Sequence, residues 1–238
     1  MSGTLQLLSG GAANGLVKRL QAPFLERTGV AIAGNFSAVG QMREALLTGQ
    51  PCDVVILTEA LVRELIQTGH LQADSARRVG AVQTGLGVPE GHAAPAMRTP
   101  EELSQALQQA DGIYMADPHK ATAGIHFMKV VRELGLEQVL GDRLLGFANG
   151  QTAMAAMAER AQQAATRPAR LIGCTQVTEI LNTPGIALVG LLPPRLRLAT
   201  AYTAAITRSC AHPQAAAQMI ELLTEPGRAQ LRKDCGFE

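Results

Sequence analysis

Short aliphatic runs alternate along the chain with amphipathic stretches of about ten to fifteen residues, the pattern of strand–helix–strand units that build a mostly parallel sheet. Residues 4–9 read as a strand, residues 10–14 as a Gly-rich turn, and residues 14–28 as a helix carrying Leu16, Leu20 and Phe24 on one face. The unit repeats at once, with a strand at 30–36, a turn at 37–40, a helix at 41–48 closed by Gly49, and an unbroken apolar strand at 53–57. Thr58 is placed to cap a helix running to Gly69. Residues 113–116 and 171–174 read as further strands, and residues 122–134 and 152–163 as helices. Pro and Gly punctuate the chain near 87–100 and 182–195, which suggests two lobes. Residues 197–208 return to a strand pattern, followed by a helix at 213–223 and a helical turn at 228–233.

At roughly 150 residues per domain, 238 residues make one large domain or two small ones. Apolar residues are 47% of the chain and charged residues 17%, a balance that excludes disorder. Lys plus Arg number 21 against 20 Asp plus Glu, and the chain has five Phe, two Tyr and no Trp. Neither net charge nor stacking platforms therefore draw it to nucleic acid. The best apolar window, residues 185–192, is far shorter than the roughly 20 residues that span a bilayer. No basic segment followed by an apolar core opens the chain, which fits a cytoplasmic protein or an exported one without its leader. Cys52, Cys174, Cys210 and Cys235 have no metal-ligand spacing, so no metal site is expected. Cys210 and Cys235 flank the C-terminal helical segment, whose out-and-back path makes a disulfide between them one expectation.

Three strand-to-helix junctions carry small residues where the next helix begins: Ser9-Gly10-Gly11, Ser37-Ala38-Val39-Gly40, and Asp117-Pro118-His119-Lys120-Ala121-Thr122-Ala123-Gly124. Free N–H groups and the helix dipole at such a junction attract an anion, and small residues let it approach. Each alone is also what an ordinary turn and helix cap require. Together, at the carboxyl ends of strands in two lobes, they point to a small anionic ligand. GxGxxG, GxxxxGK[ST], GxSxG and HExxH are all absent, so dinucleotide, P-loop and common hydrolase sites have no support. Thr178 reads as a helix cap beside Glu179, Cys174 as a buried inert thiol, and His126 as a packed or capping side chain.

The opening strand and Gly-rich turn, Asn35-Phe36-Ser37-Ala38-Val39-Gly40, and Gly49-Gln50-Pro51-Cys52-Asp53-Val54-Val55-Ile56 form a familiar series. It continues with Ala116-Asp117-Pro118, Ala123-Gly124-Ile125, Thr224-Glu225-Pro226-Gly227 and Gly236-Phe237. With these segments the chain resembles the periplasmic molybdate-binding-protein-like family, the type II solute-binding proteins of ABC transporters, over nearly its whole length. The resemblance implies an α/β, two-lobed type II periplasmic-binding-protein fold, with mixed, mostly parallel sheets and a two-strand hinge near 80–88 and 197–206. Lobe one would be residues 1–84 and 198–238, and lobe two residues 85–197. Closure would set Ser9, Gly10, Gly11, Ser37, Val39 and Gly40 against Thr122, Ala123, Asn149, Cys174, Thr175 and Gln176 around the ligand. It also implies a monomer without a cofactor, serving an ABC transporter permease, periplasmic where a leader has been removed.

This chain departs from the family's molybdate pattern, in which hydroxyl side chains of the first two turns hold the oxyanion. Gly11 and Val39 stand at those positions, with Ser9 and Ser37 close by, and the family's ligand-binding tyrosine falls near Cys174 or Thr175. A pocket without those hydroxyls suits an organic di- or tricarboxylate, with Lys120 and His119 available to an extra carboxylate. A branch of the family resembles aconitate isomerase, which implies the alternative of an allylic proton shift with His119 as acid/base and Lys120 as carboxylate clamp.

Overall fold

The computed structural model describes residues 3–163 and 169–238. The chain divides into two compact units, Met1–Val82 with Thr200–Glu238 as the first and Gln83–Ala199 as the second.

In unit 1, β1 (Thr4–Gly10), α1 (Asn14–Thr28), β2 (Ala31–Ser37), α2 (Val39–Leu47), β3 (Val54–Thr58) and α3 (Glu59–Gln67) follow the sequence pattern to within a residue or two. β1 pairs in parallel with β2 and β3, so Leu5, Leu7 and Leu8 are covered on both faces and almost fully buried. α1 lays Leu16, Leu20 and Phe24 on this sheet and ends at Gly29, whose φ of 68° lets its N–H reach Leu25 O. β4 (Arg77–Pro89) begins in unit 1 and carries the chain into unit 2.

Unit 2 continues with α4 (Pro100–Gln109), β5 (Gly112–Ala116), α5 (Thr122–Glu133), the short α6 (Glu137–Leu140), β6 (Leu144–Phe147), α7 (Gly150–Gln162), β7 (Leu171–Gln176), α8 (Val177–Leu181) and β8 (Ile186–Leu191). β5 pairs in parallel with β6 and β7, while β7 and β8 run antiparallel to β4. The stretch read as punctuation at 182–195 thus contains a strand. β8 is only half-buried along most of its length, and its Gly and Leu do not alternate, so no strand period marks it. β9 (Ala199–Ile206) returns the chain to unit 1, pairing antiparallel with β3, and α9 (Pro213–Thr224) packs on α1 before α10 (Ala229–Asp234). Glu238 and Ala81 exchange both backbone hydrogen bonds at 2.8 Å, which ties down the C-terminus and buries Phe237.

α4 opens on Thr99, whose hydroxyl accepts from Glu102 N at 3.2 Å, with Pro100 next and Glu101 and Glu102 in the first turn. Its Leu103, Ala106 and Leu107 join the core around Phe127, Val130 and Val131. Thr99→Ala is expected to cost about 1 kcal/mol by urea unfolding, the usual worth of such a cap. An unchanged midpoint would mean that Pro100 and the two glutamates hold the end alone.

The expected Cys210–Cys235 disulfide is not formed, for all four cysteines are free. β9 leaves the sheet beside β3, and the turn after it wraps Asp53, so the Cys210 thiol donates to Asp53 Oδ1 at 3.4 Å. Cys235 is instead buried at the end of α10. Cys174 is the inert buried thiol that was expected, burial pushing it well up from the ordinary thiol range.

Candidate functional site

In unit 1, β1 and β2 place their carboxyl ends side by side, Ser9 opposite Phe36 and Gly10 opposite Ser37. The first two small-residue turns are therefore neighbours. Gly10 and Ala38 occupy the N-cap positions of a 3-10 turn at Gly11–Ala13 and of α2, and neither has a side chain able to cap. The first N–H groups there are left to water or to a ligand. Ser9 is fully buried and its hydroxyl donates to Gly10 O at 2.9 Å, while the Ser37 hydroxyl donates to Gln41 Oε1 at 2.5 Å. A methyl group on Gly10 would lie 2.7 Å from Val39 Cγ1 and 3.0 Å from Tyr202 Cε1, so these two side chains roof the first turn. Tyr202 escaped the sequence reading, although a lone aromatic in a strand of Ala, Thr and Ile was a visible signal.

In unit 2 the third turn follows β5, and its neighbours in the sheet are β6 and β7. Asp117 Oδ1 accepts from the N–H groups of His119 and Lys120, at 2.7 and 2.9 Å, and so shapes the turn; both of those side chains are exposed. Ala121 stands at the N-cap of α5 with no capping side chain, leaving the N–H groups of Thr122 and Ala123 at a bare helix end. His126, one turn on, is half-buried and donates from Nε2 to Leu196 O at 2.8 Å, a packing role.

The end of α7 is different. Asn149 Oδ1 accepts from Thr152 N at 2.9 Å and from the Thr152 hydroxyl at 3.0 Å, so Asn149 caps its own helix. The buried Glu179 carboxylate lies over the same helix end, taking hydrogen bonds from the N–H groups of Gly150, Gln151 and Gln176. Thr175 adds its hydroxyl at 2.5 Å. Burial pushes the Glu179 carboxyl up, and these four donors pull against that shift without cancelling it. A Cβ at Gly150 would run into Thr175 Oγ1 and Glu179 Oε2, which is why glycine opens this helix. Thr178 does not cap α8 as expected. Gln176 holds the N-cap position, and the Thr178 hydroxyl is buried without a hydrogen-bond partner among the described residues.

The turns of each unit are thus brought together by its own sheet, while the hydroxyl protons of Ser9, Ser37 and Thr175 and the Oδ1 of Asn149 are engaged inside the chain. An apolar groove of about 460 Å³ opens in unit 2 beside Val88, Ala106, Leu171 and Ile172, at the amino end of β7 and so at the opposite end of that strand from Thr175 and Gln176. Among the described residues no cluster of His, Cys, Asp and Glu could hold a metal, and no helix is long and apolar enough to cross a membrane.

Paired parallel strands ending in small-residue turns, repeated in two units joined by two strands, define a solute-binding protein of the periplasmic type. Residues 5–238 match the family of bacterial extracellular solute-binding proteins, and the chain belongs to that family. Among solved structures it is similar to the periplasmic molybdate-binding protein of Azotobacter vinelandii, with a TM-score of 0.78, 19% identity and 98% of each chain covered. It is also similar to a sulfate-binding protein of Mycobacterium tuberculosis H37Rv, with a TM-score of 0.72, 14% identity, 99% of this chain and 86% of that one. A curated relative, an aconitate isomerase from a Pseudomonas species, is 24% identical over 243 residues, covering 99% of this chain and 87% of the relative.

Proposed function

We propose that the chain captures a small organic anion, a di- or tricarboxylate rather than molybdate, in the periplasm and delivers it to the permease of an ABC transporter. The observation that carries this reading is the state of the unit 1 turns. Gly11 and Val39 offer no hydroxyl, the Ser9 and Ser37 hydroxyl protons are taken within the chain, and Val39 and Tyr202 crowd Gly10. What remains are backbone N–H groups, which suit a flat carboxylate. The bare N-terminus of α5, with Lys120 exposed beside it, supplies donors for a second carboxylate.

A thermal-shift panel of succinate, malate, citrate, trans-aconitate, sulfate, molybdate and tungstate tests this. A cognate carboxylate at about a hundred times its Kd stabilises the fold by about 2.7 kcal/mol. For a chain of this length that is a rise in melting temperature of roughly 5–10 °C. A shift with molybdate or sulfate alone overturns the carboxylate assignment.

A second reading, isomerisation of an aconitate-like acid, is favoured by the Pseudomonas relative, whose likeness runs through almost the whole chain. It requires a proton to leave one carbon of the allylic acid and return to another, with the enolate-like charge held by N–H donors. His119 is the side chain at the α5 turn suited to that transfer, and its exposure leaves it accessible. Proton NMR of trans-aconitate with the protein separates the readings, since new cis-aconitate signals belong only to the enzyme. His119→Ala should then lose rate and keep affinity.

A further inference from the structure

Unit 1 holds its first turn by packing rather than by a side-chain cap. Gly10 has no capping side chain, and Val39 Cγ1 and the Tyr202 ring are the atoms closest to where its Cβ would stand. Tyr202 reaches that place because β9 runs antiparallel to β3 and sets it opposite Thr58, at the carboxyl end of β3. The Tyr202 ring is in turn met edge-on by Phe237, with centroids 6.2 Å apart and planes at 84°. Both residues are no more than 3% exposed. Phe237 is pinned along the chain, its own N–H donating to Arg232 O at 2.9 Å and its neighbour Glu238 pairing with Ala81. A Cβ at Gly80 would lie 2.9 Å from Glu238 O and 3.2 Å from Phe237 Cβ, so glycine there lets residues 237–238 come this close to β4. Every residue in this series belongs to unit 1.

The N–H groups of the first turn follow directly on Gly10, and a hydrogen bond weakens steeply when its donor is turned away from the acceptor. A displacement of about half an ångström is enough to spoil a binding geometry. We propose that Phe237 is a positioning residue for the unit 1 anion site: it holds the Tyr202 ring against Gly10, and thereby sets how tightly the anion is bound. The proposal rests on the anion reading above and adds to it a determinant that lies outside the turns. Core filling alone would make removal of the Phe237 ring a loss of stability. Positioning makes it a loss of affinity as well, and one that disappears when Tyr202 is already gone.

Calorimetric titration with malate, citrate, trans-aconitate, sulfate and molybdate tests the proposal, with melting temperatures recorded for every variant. Phe237→Leu should raise the Kd of whichever of these anions the parent binds by about fivefold or more, as changes remote from a ligand do when they are coupled to it. Phe237→Met, which keeps more of the bulk without the ring, should behave alike. Phe24→Leu removes an equally buried ring on α1 of the same unit, and should lower the melting temperature while leaving Kd within about twofold. Tyr202→Leu should weaken binding at least as much as Phe237→Leu, and combining the two should add less than about twofold. The chain has two Tyr and no Trp, so in Tyr114→Phe the emission comes from Tyr202, and it should change when the anion binds. An unchanged Kd in Phe237→Leu and Phe237→Met, an equal loss in Phe24→Leu, or full additivity with Tyr202→Leu overturns the positioning role and leaves the anion reading standing. Binding of sulfate or molybdate alone overturns the carboxylate assignment, and the Phe237 comparison made with that oxyanion still decides the positioning role. Failure of all five anions to bind overturns the anion reading and the positioning role with it.

Discussion

Asp53→Ala is expected to lose about 3–5 kcal/mol of folding stability, the range set by stripping a buried hub of its hydrogen bonds. Asp53 sits where β3 begins, with a side chain 3% exposed. Oδ2 accepts from Gln6 N at 2.8 Å, and His212 Nδ1 lies 3.2 Å from it. Oδ1 accepts from Ala211 N at 2.8 Å, His212 N at 3.1 Å and the Cys210 thiol at 3.4 Å. One carboxylate therefore binds β1 to the segment that opens α9. Alanine leaves three backbone donors without an acceptor, and a loss under about 1 kcal/mol by urea unfolding would show that the hub is dispensable.

Acid should act through the same group. Burial pushes the Asp53 carboxyl up, but the N–H groups of Gln6 and Ala211, with His212 and Cys210, outweigh burial and hold it below its ordinary value. Its contribution is therefore complete above the unfolded value of about 3.9 and is lost as pH falls through the lower folded value. The stability gap between the parent and Asp53→Asn should narrow across that interval. Glu179 has the opposite sign, since its folded value is raised. Its ionised form is disfavoured in the fold, so lowering the pH toward the ordinary carboxylate range relieves that cost. Glu179→Gln should remove the latter effect alone.

Gly124→Ala is expected to be the second damaging change, at about 3 kcal/mol. Helix propensity alone predicts a gain of about 1 kcal/mol from replacing a helical glycine. Here the added Cβ would run into the carbonyl oxygens of Ala116 and Asp117 and lie 2.7 Å from the Asp117 carbonyl carbon. These are backbone atoms, so no rotamer change relieves the collision, and the steric effect wins. α5 would have to lift from the end of β5, displacing the bare N–H groups of Thr122 and Ala123 as well. Both the melting temperature and ligand affinity should fall. Gly227→Ala, with nothing within 4 Å of its Cβ position, is the matched control and should be nearly neutral.

Gly124 belongs to the Ala123-Gly124-Ile125 segment, one of those that carried the family resemblance, and its packing explains why that position tolerates no side chain. Most strands and long helices were legible because burial on both faces leaves continuous aliphatic runs, as in residues 54–57, and one-face burial leaves a helical period, as with Leu16, Leu20 and Phe24. α4 was hidden behind the Pro- and Gly-rich stretch before it, although Thr99-Pro100-Glu101-Glu102 is a helix start signal. The bare helix ends at Gly10, Ala38 and Ala121 could be found from small residues alone. The use of Glu179 could not, because its partners come from two separate segments, the end of β7 and the start of α7, that only the sheet order of β5, β6 and β7 brings together. Its one sequence signal was a glutamate three residues after a wholly buried strand, which also suits an ordinary first-turn helix residue.

The two crossings of the chain between units also set an order on the ribosome. Gln83–Ala199 is continuous, so its sheet can be completed while synthesis is still under way. The unit that emerges first must wait for its last strand, since β9 lies beyond the whole of the other unit. Until β9 arrives, β3 presents an unpaired apolar edge of Val54, Val55, Ile56 and Leu57. Nascent chains stalled before Thr200 should therefore be the species most prone to aggregate and most dependent on holding chaperones.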